Sequence, residues 1–161
     1  MERLWAPWRM EYITEEPRPG CLFCRVIEDP NDKDAALVVW RPKGAIVLLN
    51  KFPYNAGHAM VAPVAHIGAL EDLDDTQTAD LMRALKRTIA VLKASMKPEG
   101  FNVGANIGRA AGAGIPDHVH FHVVPRWNGD TNFMPVLGDV KVVNEHLLQT
   151  AAKLSEAFAS S

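Results

Sequence analysis

The apolar residues of the chain fall into short runs separated by turn residues, a pattern that predicts several β-strands. Residues 37–40 and 45–50 form two such runs, and the Arg-Pro-Lys-Gly sequence between them predicts a turn, so we expect a hairpin. A third run covers residues 57–63 and a fourth covers residues 101–106. Strands that follow one another through short connections are typical of an antiparallel sheet.

Two helical patterns accompany these strands. One begins near Asp74, ends before the Pro-Glu-Gly sequence at residues 98–100, and has an apolar face that recurs at spacings of four, four and three: Leu81, Leu85, Ile89 and Leu92. A second amphipathic pattern covers residues 140–158. We therefore predict an α+β fold, an antiparallel sheet of about five strands with a central helix and a C-terminal helix.

Residues 117–126 predict a further strand of unusual composition, because every second position from His118 to His122 is a histidine. In a strand the three histidines share one face and the apolar residues between them share the other. Since a strand rises about 3.3 Å per residue, the backbones of His118 and His122 would lie roughly 13 Å apart. This separation argues against one metal ion bound by all three rings, so we expect the rings to have different roles.

The bulk properties limit the class of protein. A length of 161 residues with 48% hydrophobic residues suits one domain, residues 1–161, with residues 1–20 as an N-terminal arm. A formal net charge of -2 provides no basic field for nucleic acid. Residues 52–70 carry no charge but contain too many Pro, Gly, Asn and His residues for a membrane-spanning helix, and the N-terminus lacks the apolar core of a signal peptide. We expect a cytoplasmic protein without a membrane or nucleic-acid partner.

The only two cysteines, Cys21 and Cys24, form a Cys-x-x-Cys pair. In a reducing compartment this spacing favours metal ligation or a redox pair over a structural disulfide, and two buried free cysteines would have the same spacing. No βαβ pattern surrounds the pair, which disfavours a thioredoxin-like function. A structural zinc ion would need two more ligands, for which the candidates are His58, His66 and His118.

Three titratable rings on one strand face indicate a site for catalysis or metal binding. A neutral imidazole attacks phosphorus and leaves it readily, which suits two-step transfer of a nucleotidyl group. The alternatives are a tri-histidine catalytic metal site and a chance alternation. A glycine-rich segment from Gly104 to Gly114 precedes the strand. It matches neither a P-loop nor a dinucleotide-binding fingerprint, although its backbone amides and Arg109 can approach a phosphate.

The sequence from His118 to Val124, His-Val-His-Phe-His-Val-Val, resembles the signature of the histidine-triad (HIT) superfamily. The segment from Asn50 to His58 is similar to the nucleoside-binding strand–loop–strand of the dinucleoside-polyphosphate hydrolases in that superfamily. Residues 3–10, with the segments that begin at Phe101 and Val124, resemble bacterial diadenosine-tetraphosphate phosphorylases and hydrolases. The resemblance covers nearly the whole chain.

This resemblance implies an enzyme that cleaves dinucleoside polyphosphates such as diadenosine tetraphosphate, as a hydrolase or nucleotidyltransferase. The catalytic residues would be His120, the nucleophile that forms a covalent nucleotidyl-histidine, and His122, which contacts the phosphate and handles protons. In zinc-bearing members the ligands correspond to Cys21, Cys24, His66 and His118. Zinc would be structural, because four protein ligands leave no open position for water.

The resemblance also implies substrate contacts. Asn50 matches a residue that binds the ribose hydroxyls, Asn106 lies near a polar residue that contacts phosphates, and His58 would support the triad. The complete set of substrate-binding candidates is Asn50, His58, Asn106, Arg109, Gly114 and His122. Family members often have Gln, Ser or Thr where this chain has Gly114, so either a backbone amide replaces that contact or the acceptor differs.

The nucleotidyl acceptor, water or phosphate, therefore stays open. Two other functions of the same superfamily fit the triad, a non-catalytic purine-nucleotide-binding module and a nucleoside phosphoramidase. The resemblance further implies a homodimer.

Overall fold

The computed structural model describes residues 19–130 and 146–160, which form an antiparallel sheet with helices on both faces. The strands are β1 (Val38–Trp40), β2 (Ala45–Leu49), β3 (Ala59–Pro63), β4 (Gly100–Gly104) and β5 (Phe121–Arg126). The α-helices in these ranges are α1 (Leu22–Glu28), α2 (Asp75–Met96) and α3 (Leu147–Ala159). Every strand pairing is antiparallel and the strand order is β1-β2-β3-β5-β4, which confirms the predicted α+β class.

The alternation of side chains along β2 and β3 gives the sheet two buried faces. Val47 of β2 and Val61 of β3 pack with α2 and α3 in the larger apolar cluster. Ile46, Leu48 and Met60 point the other way and pack with α1 in a smaller cluster. Every residue of β2 and β3 is buried, which explains why both strands appear in the sequence as uninterrupted apolar runs.

Helix α2 covers the first face in the predicted position. The Asp74 side chain accepts the Gln77 N–H at 2.8 Å, and the Gln77 side chain accepts the Asp74 N–H at 3.0 Å, so the two residues form a capping box. The helix ends where Lys97 adopts the left-handed conformation, with φ of 51°. The predicted apolar face is confirmed, since it packs into the larger cluster: Leu81, Leu85, Ile89 and Leu92.

Helix α1 covers the second face, and the pattern of residues along the chain does not predict it. Its seven residues are too few for a helical repeat to be recognised, and a helix of this length is unstable alone in water. Phe23 and Val26, three positions apart, are both 0% exposed and anchor the helix in the smaller cluster. The helix therefore places the Cys-x-x-Cys pair against the sheet.

Three predicted strand ends are wrong by a few residues. β5 begins at Phe121, not at residue 117, because the N–H of Val119 bonds to the carbonyl oxygen of Ile67 at 2.7 Å outside the strand ladder. β3 begins after Gly57, whose φ of 73° belongs to a turn. β4 ends at Gly104, so the connection to β5 is longer than predicted.

The two faces predicted for the histidine segment are confirmed. Val119 and Val123 belong to the larger cluster, beside α2 and α3. His118 and His120 contact Phe23, on the side of α1. The segment keeps the alternation of a strand although its first residues are not in the ladder.

Helix α3 begins at Leu147, later than the predicted start at residue 140, because His146 has an extended backbone. Its Phe158 ring stacks on Trp40 of β1 with 4.9 Å between the ring centroids. Residues 140–145 of the predicted helix, like residues 1–18 of the predicted N-terminal arm, lie outside the described residues. Among the helices of the described ranges, none has the length and apolar character needed to cross a membrane.

Candidate active site and metal-binding cluster

The histidines of the candidate active site gather where β3, β5 and α1 meet. His118 and His120 are 0% and 4% exposed, and His122 is half-buried at the start of β5. The ring centroids of His120 and His122 are 5.0 Å apart and the planes are nearly perpendicular. Each of the three rings has different polar partners, which give it different chemistry.

His120 carries its proton on Nδ1. This nitrogen lies 2.8 Å from the carbonyl oxygen of His118, and a carbonyl only accepts, so Nδ1–H donates and Nε2 keeps its lone pair in the neutral ring. Burial lowers the pKa of His120, while the hydrogen bond to the carbonyl opposes that shift. A neutral imidazole with an unprotonated Nε2 is the form that acts as a nucleophile.

His122 belongs to a second hydrogen-bond chain, which fixes the opposite tautomer. The buried ring of His58 accepts the Tyr54 N–H at Nδ1 over 3.0 Å, so the proton of neutral His58 is on Nε2. That Nε2–H donates to Nδ1 of His122 over 3.0 Å, which leaves the proton of neutral His122 on Nε2. Burial lowers the pKa of His122, and the neighbouring His120 lowers it further. The site therefore offers a nitrogen lone pair on His120 and an N–H donor on His122.

Four metal-ligand atoms converge at His118, and they belong to the set that the resemblance implied. Nδ1 of His118 lies 3.3 Å from Sγ of Cys21, 3.8 Å from Sγ of Cys24 and 3.3 Å from Nδ1 of His66. Sγ of Cys24 lies 3.2 Å from Nδ1 of His66, and all four atoms are within 4.8 Å of one another.

These distances and donors fit a tetrahedral metal ion. Zinc binds nitrogen at about 2.0 Å and sulfur at about 2.3 Å, which separates its ligands by about 3.3 to 3.8 Å. Three of the four ligand distances quoted above lie within that interval, and the fourth, between Cys24 and His66, is 0.1 Å below it. Two thiols with two imidazoles can therefore hold a metal ion here without a change in the fold.

The surroundings of the cluster favour metal binding. The carbonyl oxygen of Pro63 accepts the Nε2–H of His118 at 2.8 Å, which leaves Nδ1 unprotonated toward the other ligands. Burial lowers the pKa of His118. Burial, with the neighbouring Cys21, raises the pKa of Cys24 to about 11, so a positive ion is needed to keep the Cys24 sulfur a thiolate at neutral pH.

Gly68 permits the close approach that brings His66 to the cluster. A Cβ at position 68 would lie 2.8 Å from the carbonyl oxygen of Pro116 and 3.1 Å from Cα of Asp117. Both are backbone atoms, which cannot rotate away. The absence of a side chain at Gly68 thus lets the segment after β3 lie directly against the segment before β5.

The loop that joins β2 to β3 is folded by its own polar groups. The N–H of Asn50 donates to the carbonyl oxygen of His58 at 2.8 Å, and Oδ1 of Asn50 accepts the Phe52 N–H at 2.8 Å. Nδ2 of Asn55 donates to Oδ2 of Asp130 at 2.7 Å. These bonds place Asn50 beside His58 and hold the loop against the residues that follow β5.

Asp130 is the centre of a network that the sequence analysis missed. Arg126 donates to its two carboxylate oxygens from Nε at 2.7 Å and from Nη2 at 2.8 Å. The Trp127 N–H donates to Oδ2 at 3.1 Å, beside the bond from Asn55. The available signal was an aspartate in a Trp-Asn-Gly-Asp turn four residues after an arginine, which does not reveal its distant partner.

The other predicted substrate-binding residues lie in the connection between β4 and β5. Gly104 pairs with His122, so Asn106, two residues further along, continues in the direction of His120. Arg109 and Gly114 are exposed, and among the described residues no hydrogen bond or ion pair joins Arg109 to the triad. A Cβ at Gly114 would meet nothing within 4 Å, so the position has space for a side chain.

Two aromatic residues contact the histidines and were not among the predicted site residues. Phe23 lies against His118 and His120, and Tyr54 lies 4.7 Å from His58 and 6.2 Å from His122 between ring centroids. Each lies inside a segment that the sequence analysis had selected for other residues. Only the fold shows that their rings face the histidines.

The chain is similar in sequence and structure to several known proteins. A family model described as "HIT domain" matches residues 31–129, which include the triad but not the cysteine pair. An "AP-4-A phosphorylase" of Mycobacterium tuberculosis is 39% identical over 99% of this chain and 85% of its own length. An "Adenosine 5'-monophosphoramidase" of Schizosaccharomyces pombe is 34% identical over 68% of this chain and 74% of its own. The crystal structure of a zinc-bound histidine triad family protein from Mycobacterium smegmatis has a TM-score of 0.70 and 26% identity, over 87% of this chain and 94% of the other.

Proposed function

Because the chain belongs to the HIT domain family, as its resemblance implied, we propose that it is an enzyme that cleaves dinucleoside polyphosphates, with diadenosine tetraphosphate as the leading substrate. The observation that carries this proposal is the tautomer of His120, whose Nδ1–H is held by the His118 carbonyl at 2.8 Å. Its Nε2 lone pair is thereby available for attack on phosphorus.

In the first step, Nε2 of His120 forms a bond to the α-phosphorus. The bond from that phosphorus to the bridging oxygen breaks, and its electron pair stays on the departing oxygen. The Nε2–H of His122 donates a hydrogen bond to the reacting phosphate and stabilises the charge that develops there. With diadenosine tetraphosphate, ATP departs and adenylyl-His120 remains.

In the second step, an acceptor attacks the adenylyl phosphorus and the nitrogen–phosphorus bond breaks, with its electron pair returning to Nε2 of His120. Water as the acceptor would give AMP, whereas inorganic phosphate would give ADP. The name of the Mycobacterium tuberculosis relative, AP-4-A phosphorylase, favours phosphate. We therefore assign phosphate as the acceptor.

We assign a structural zinc ion to the four residues that the resemblance implies as ligands: Cys21, Cys24, His66 and His118. The ligand distances support this assignment, as does the zinc-bound relative from Mycobacterium smegmatis. Zinc with four protein ligands has no open position for water. Its contribution is to keep the thiols ionised and to link α1 to the segment that carries His66 and to the segment that carries His118.

The proposed substrate contacts are those that the resemblance implies. Asn50, fixed beside His58 by a backbone hydrogen bond of 2.8 Å, binds the ribose hydroxyls. Asn106 and Arg109 contact the phosphates, and the backbone amide at Gly114 takes the place of a polar side chain. His58 acts through His122, since the two rings share a hydrogen bond.

The protein acts in this proposal as a cytoplasmic homodimer with one HIT domain per chain. β4 is an edge strand of the sheet, and its Val103 is 42% exposed. An edge of this kind can pair with a second copy of the same strand, which would protect its unpaired backbone groups.

The test is to incubate the purified protein with diadenosine tetraphosphate, with and without inorganic phosphate, and to identify the products. ATP and ADP that form only with phosphate, together with an acid-labile adenylyl-protein, are the expected result. ATP and AMP formed without phosphate would instead make water the acceptor. Tight binding of adenine nucleotides without any product or labelled protein would contradict the enzyme and indicate a nucleotide-binding module.

A nucleoside phosphoramidase is the second candidate, and the Schizosaccharomyces pombe relative favours it. The same attack by His120 would break a phosphorus–nitrogen bond, and the proton on Nε2 of His122 would go to the departing nitrogen. Comparison of kcat/KM for adenosine 5'-phosphoramidate and for diadenosine tetraphosphate decides between the two. A preference of at least about tenfold, equivalent to about 1.4 kcal/mol in the barrier, identifies the better substrate class.

A further inference from the structure

Phe23 lies between the two cysteines in sequence and against two active-site histidines in space. Its ring centroid is 4.9 Å from that of His118 and 5.0 Å from that of His120, and both interplanar angles are 43°. The side chain is 0% exposed. It therefore contacts the nucleophile's ring from the protein interior, where no substrate reaches it.

The ring of His120 needs such a contact. Its hydrogen bond from Nδ1 to the His118 carbonyl fixes one atom of the imidazole, and the ring can still swing about that atom. The edge of His122 limits this motion on one side, at 5.0 Å between centroids. The buried ring of Phe23 packs against the same imidazole, so the direction of the Nε2 lone pair depends on where Phe23 lies.

The position of Phe23 depends in turn on the metal ligands. Helix α1 has seven residues and no side-chain hydrogen bond at its N-cap, so it is not stable by itself. The sulfur atoms of its N-cap residue, Cys21, and of Cys24 lie 3.3 Å and 3.8 Å from Nδ1 of His118. The apolar contacts of Phe23 and Val26 complete the attachment of the helix.

We infer that Phe23 is a positioning residue, which holds the His120 ring in the orientation for attack and couples that orientation to the metal-binding helix. The inference rests on the proposed function and deepens it. The Cys-x-x-Cys helix then has a second role besides metal binding, because Phe23, which lies between the two cysteines, positions the nucleophile for the transfer reaction.

The test compares Phe23→Leu with Val26→Ala in the zinc-loaded protein. Leucine keeps the interior apolar but removes the flat ring that faces His120. Val26 is the matched control, because it lies on the same short helix in the same cluster, is also 0% exposed, and makes no ring contact with a histidine. Should Phe23→Leu not fold, Phe23→Met, which fills a similar volume, replaces it.

Five quantities are measured for each variant: zinc content, thermal stability, KM, the rate of adenylyl-His120 formation by rapid quench, and the nitrogen-15 signals of the His120 ring. For Phe23→Leu we expect full zinc content, little change in KM, and a fall in the adenylylation rate of about 10- to 100-fold from the displaced nucleophile. The His120 signals should shift and broaden, as expected for a ring that keeps its tautomer but samples more than one orientation. For Val26→Ala we expect lower thermal stability with an adenylylation rate per folded molecule close to that of the wild type.

An unchanged adenylylation rate and unchanged His120 signals in Phe23→Leu would overturn the inference, and so would equal losses of rate in the two variants. A wild-type protein that forms no adenylyl-His120 would instead overturn the proposed function. The nitrogen-15 signals still report in that case whether Phe23 orients His120, so the two failures are distinguishable.

Discussion

Nε2 of His58 lies 3.0 Å from Nδ1 of His122, and this contact makes the third histidine of the triad a hydrogen-bond donor at its other nitrogen. The tautomer of His58 is set by the backbone N–H of Tyr54, and that of His120 by the backbone carbonyl of His118. The neighbouring rings of His120 and His122 therefore hold opposite tautomers. Backbone groups impose both, directly on His120 and through His58 on His122. The division of labour between lone pair and proton donor is a property of the fold.

Replacement of His58 tests this chain of hydrogen bonds. His58→Leu removes the donor to His122, so the proton of His122 is no longer confined to Nε2, and we expect kcat to fall roughly 10- to 100-fold with little change in KM. His58→Gln, whose side-chain amide can donate to the same nitrogen, should recover part of the loss. Steady-state kinetics with diadenosine tetraphosphate measure both variants. A wild-type kcat in His58→Leu would contradict the proposed donor role of His122.

Replacement of His120 tests the nucleophile. His120→Ala leaves no nitrogen to bond to phosphorus, so we expect kcat to fall by roughly 10⁴-fold or more and the adenylyl-protein to disappear. Nucleotide binding, measured by calorimetry, should be largely retained, because Asn50, the proposed ribose contact, lies on another segment. His146→Ala, at an exposed histidine before α3, is the control and should keep full activity. Full turnover by His120→Ala would exclude the covalent mechanism.

Replacement of Gly68 tests the approach of the two ligand segments. In Gly68→Ala the added Cβ would lie 2.8 Å from the Pro116 carbonyl oxygen, so the segment that carries His66 must move away from His118. We expect zinc affinity at least about tenfold lower and a stability loss of about 1–3 kcal/mol. Gly100→Ala is the control, since a Cβ there meets nothing within 4 Å. Equal zinc content and equal thermal stability in the two variants would show that the close approach is not required.

The sequence was sufficient for elements whose periodicity is long and complete. The spacing of Leu81, Leu85, Ile89 and Leu92 defines the buried face of α2, and the apolar runs define the central strands because both of their faces are buried. Helix α1 could not be found in this way, since only Phe23 and Val26 mark its buried side. The resemblance supplied what periodicity could not, including the choice of His66 and His118 among the three histidines that could bind a metal.

Other features of the site depend on contacts between segments far apart in the sequence. By residue type alone, His58 and His66 are equally plausible ligands, and the fold shows that the ring of His58 turns toward His122 while that of His66 turns toward the cysteines. The Pro63 carbonyl orients His118, and Gly68 lies against the backbone of Pro116 and Asp117. Neither contact can be read from the pattern of residue types. Tautomers and close approaches of this kind are set by backbone atoms, which every residue shares.

The lowered pKa of His122 predicts a loss of stability in mild acid. Burial is the main cause and His120 the second, with His58 as the other facing ring. Between the lowered pKa and the ordinary value of 6.5, the unfolded chain binds a proton at His122 that the folded chain does not, so stability falls as the pH falls below 6.5. Urea unfolding at about pH 7.5 and about pH 5.5 should show a larger loss in the wild type than in His122→Gln. Equal losses in the two proteins would contradict this prediction.

Replacement of Asp130 tests whether the turn after β5 holds the substrate loop. Asp130→Ala removes one acceptor of the Asn55 amide, so the loop from Asn50 to His58 loses its bond to the turn that follows β5 and keeps the weaker bond from Asn55 to the Pro125 carbonyl oxygen, at 3.1 Å. Because this loop carries the proposed ribose contact, we expect KM to rise several-fold, more than kcat falls, with a modest loss of stability, since the partners of Asp130 are only half-buried.

Glu99→Ala is the matched control for Asp130→Ala. Glu99 is exposed and accepts the Asn128 N–H at 2.9 Å, so it supports the same turn without a hydrogen bond to the loop that carries Asn50. We expect its KM for diadenosine tetraphosphate to stay close to that of the wild type. If both variants raise KM equally, the turn acts through its general stability; if neither does, Asn50 is positioned within its own loop, by its bonds to His58 and Phe52. A rise in KM confined to Asp130→Ala would show that the turn after β5 positions the segment proposed to bind the nucleoside. The other end of β5 follows directly after the nucleophile, His120.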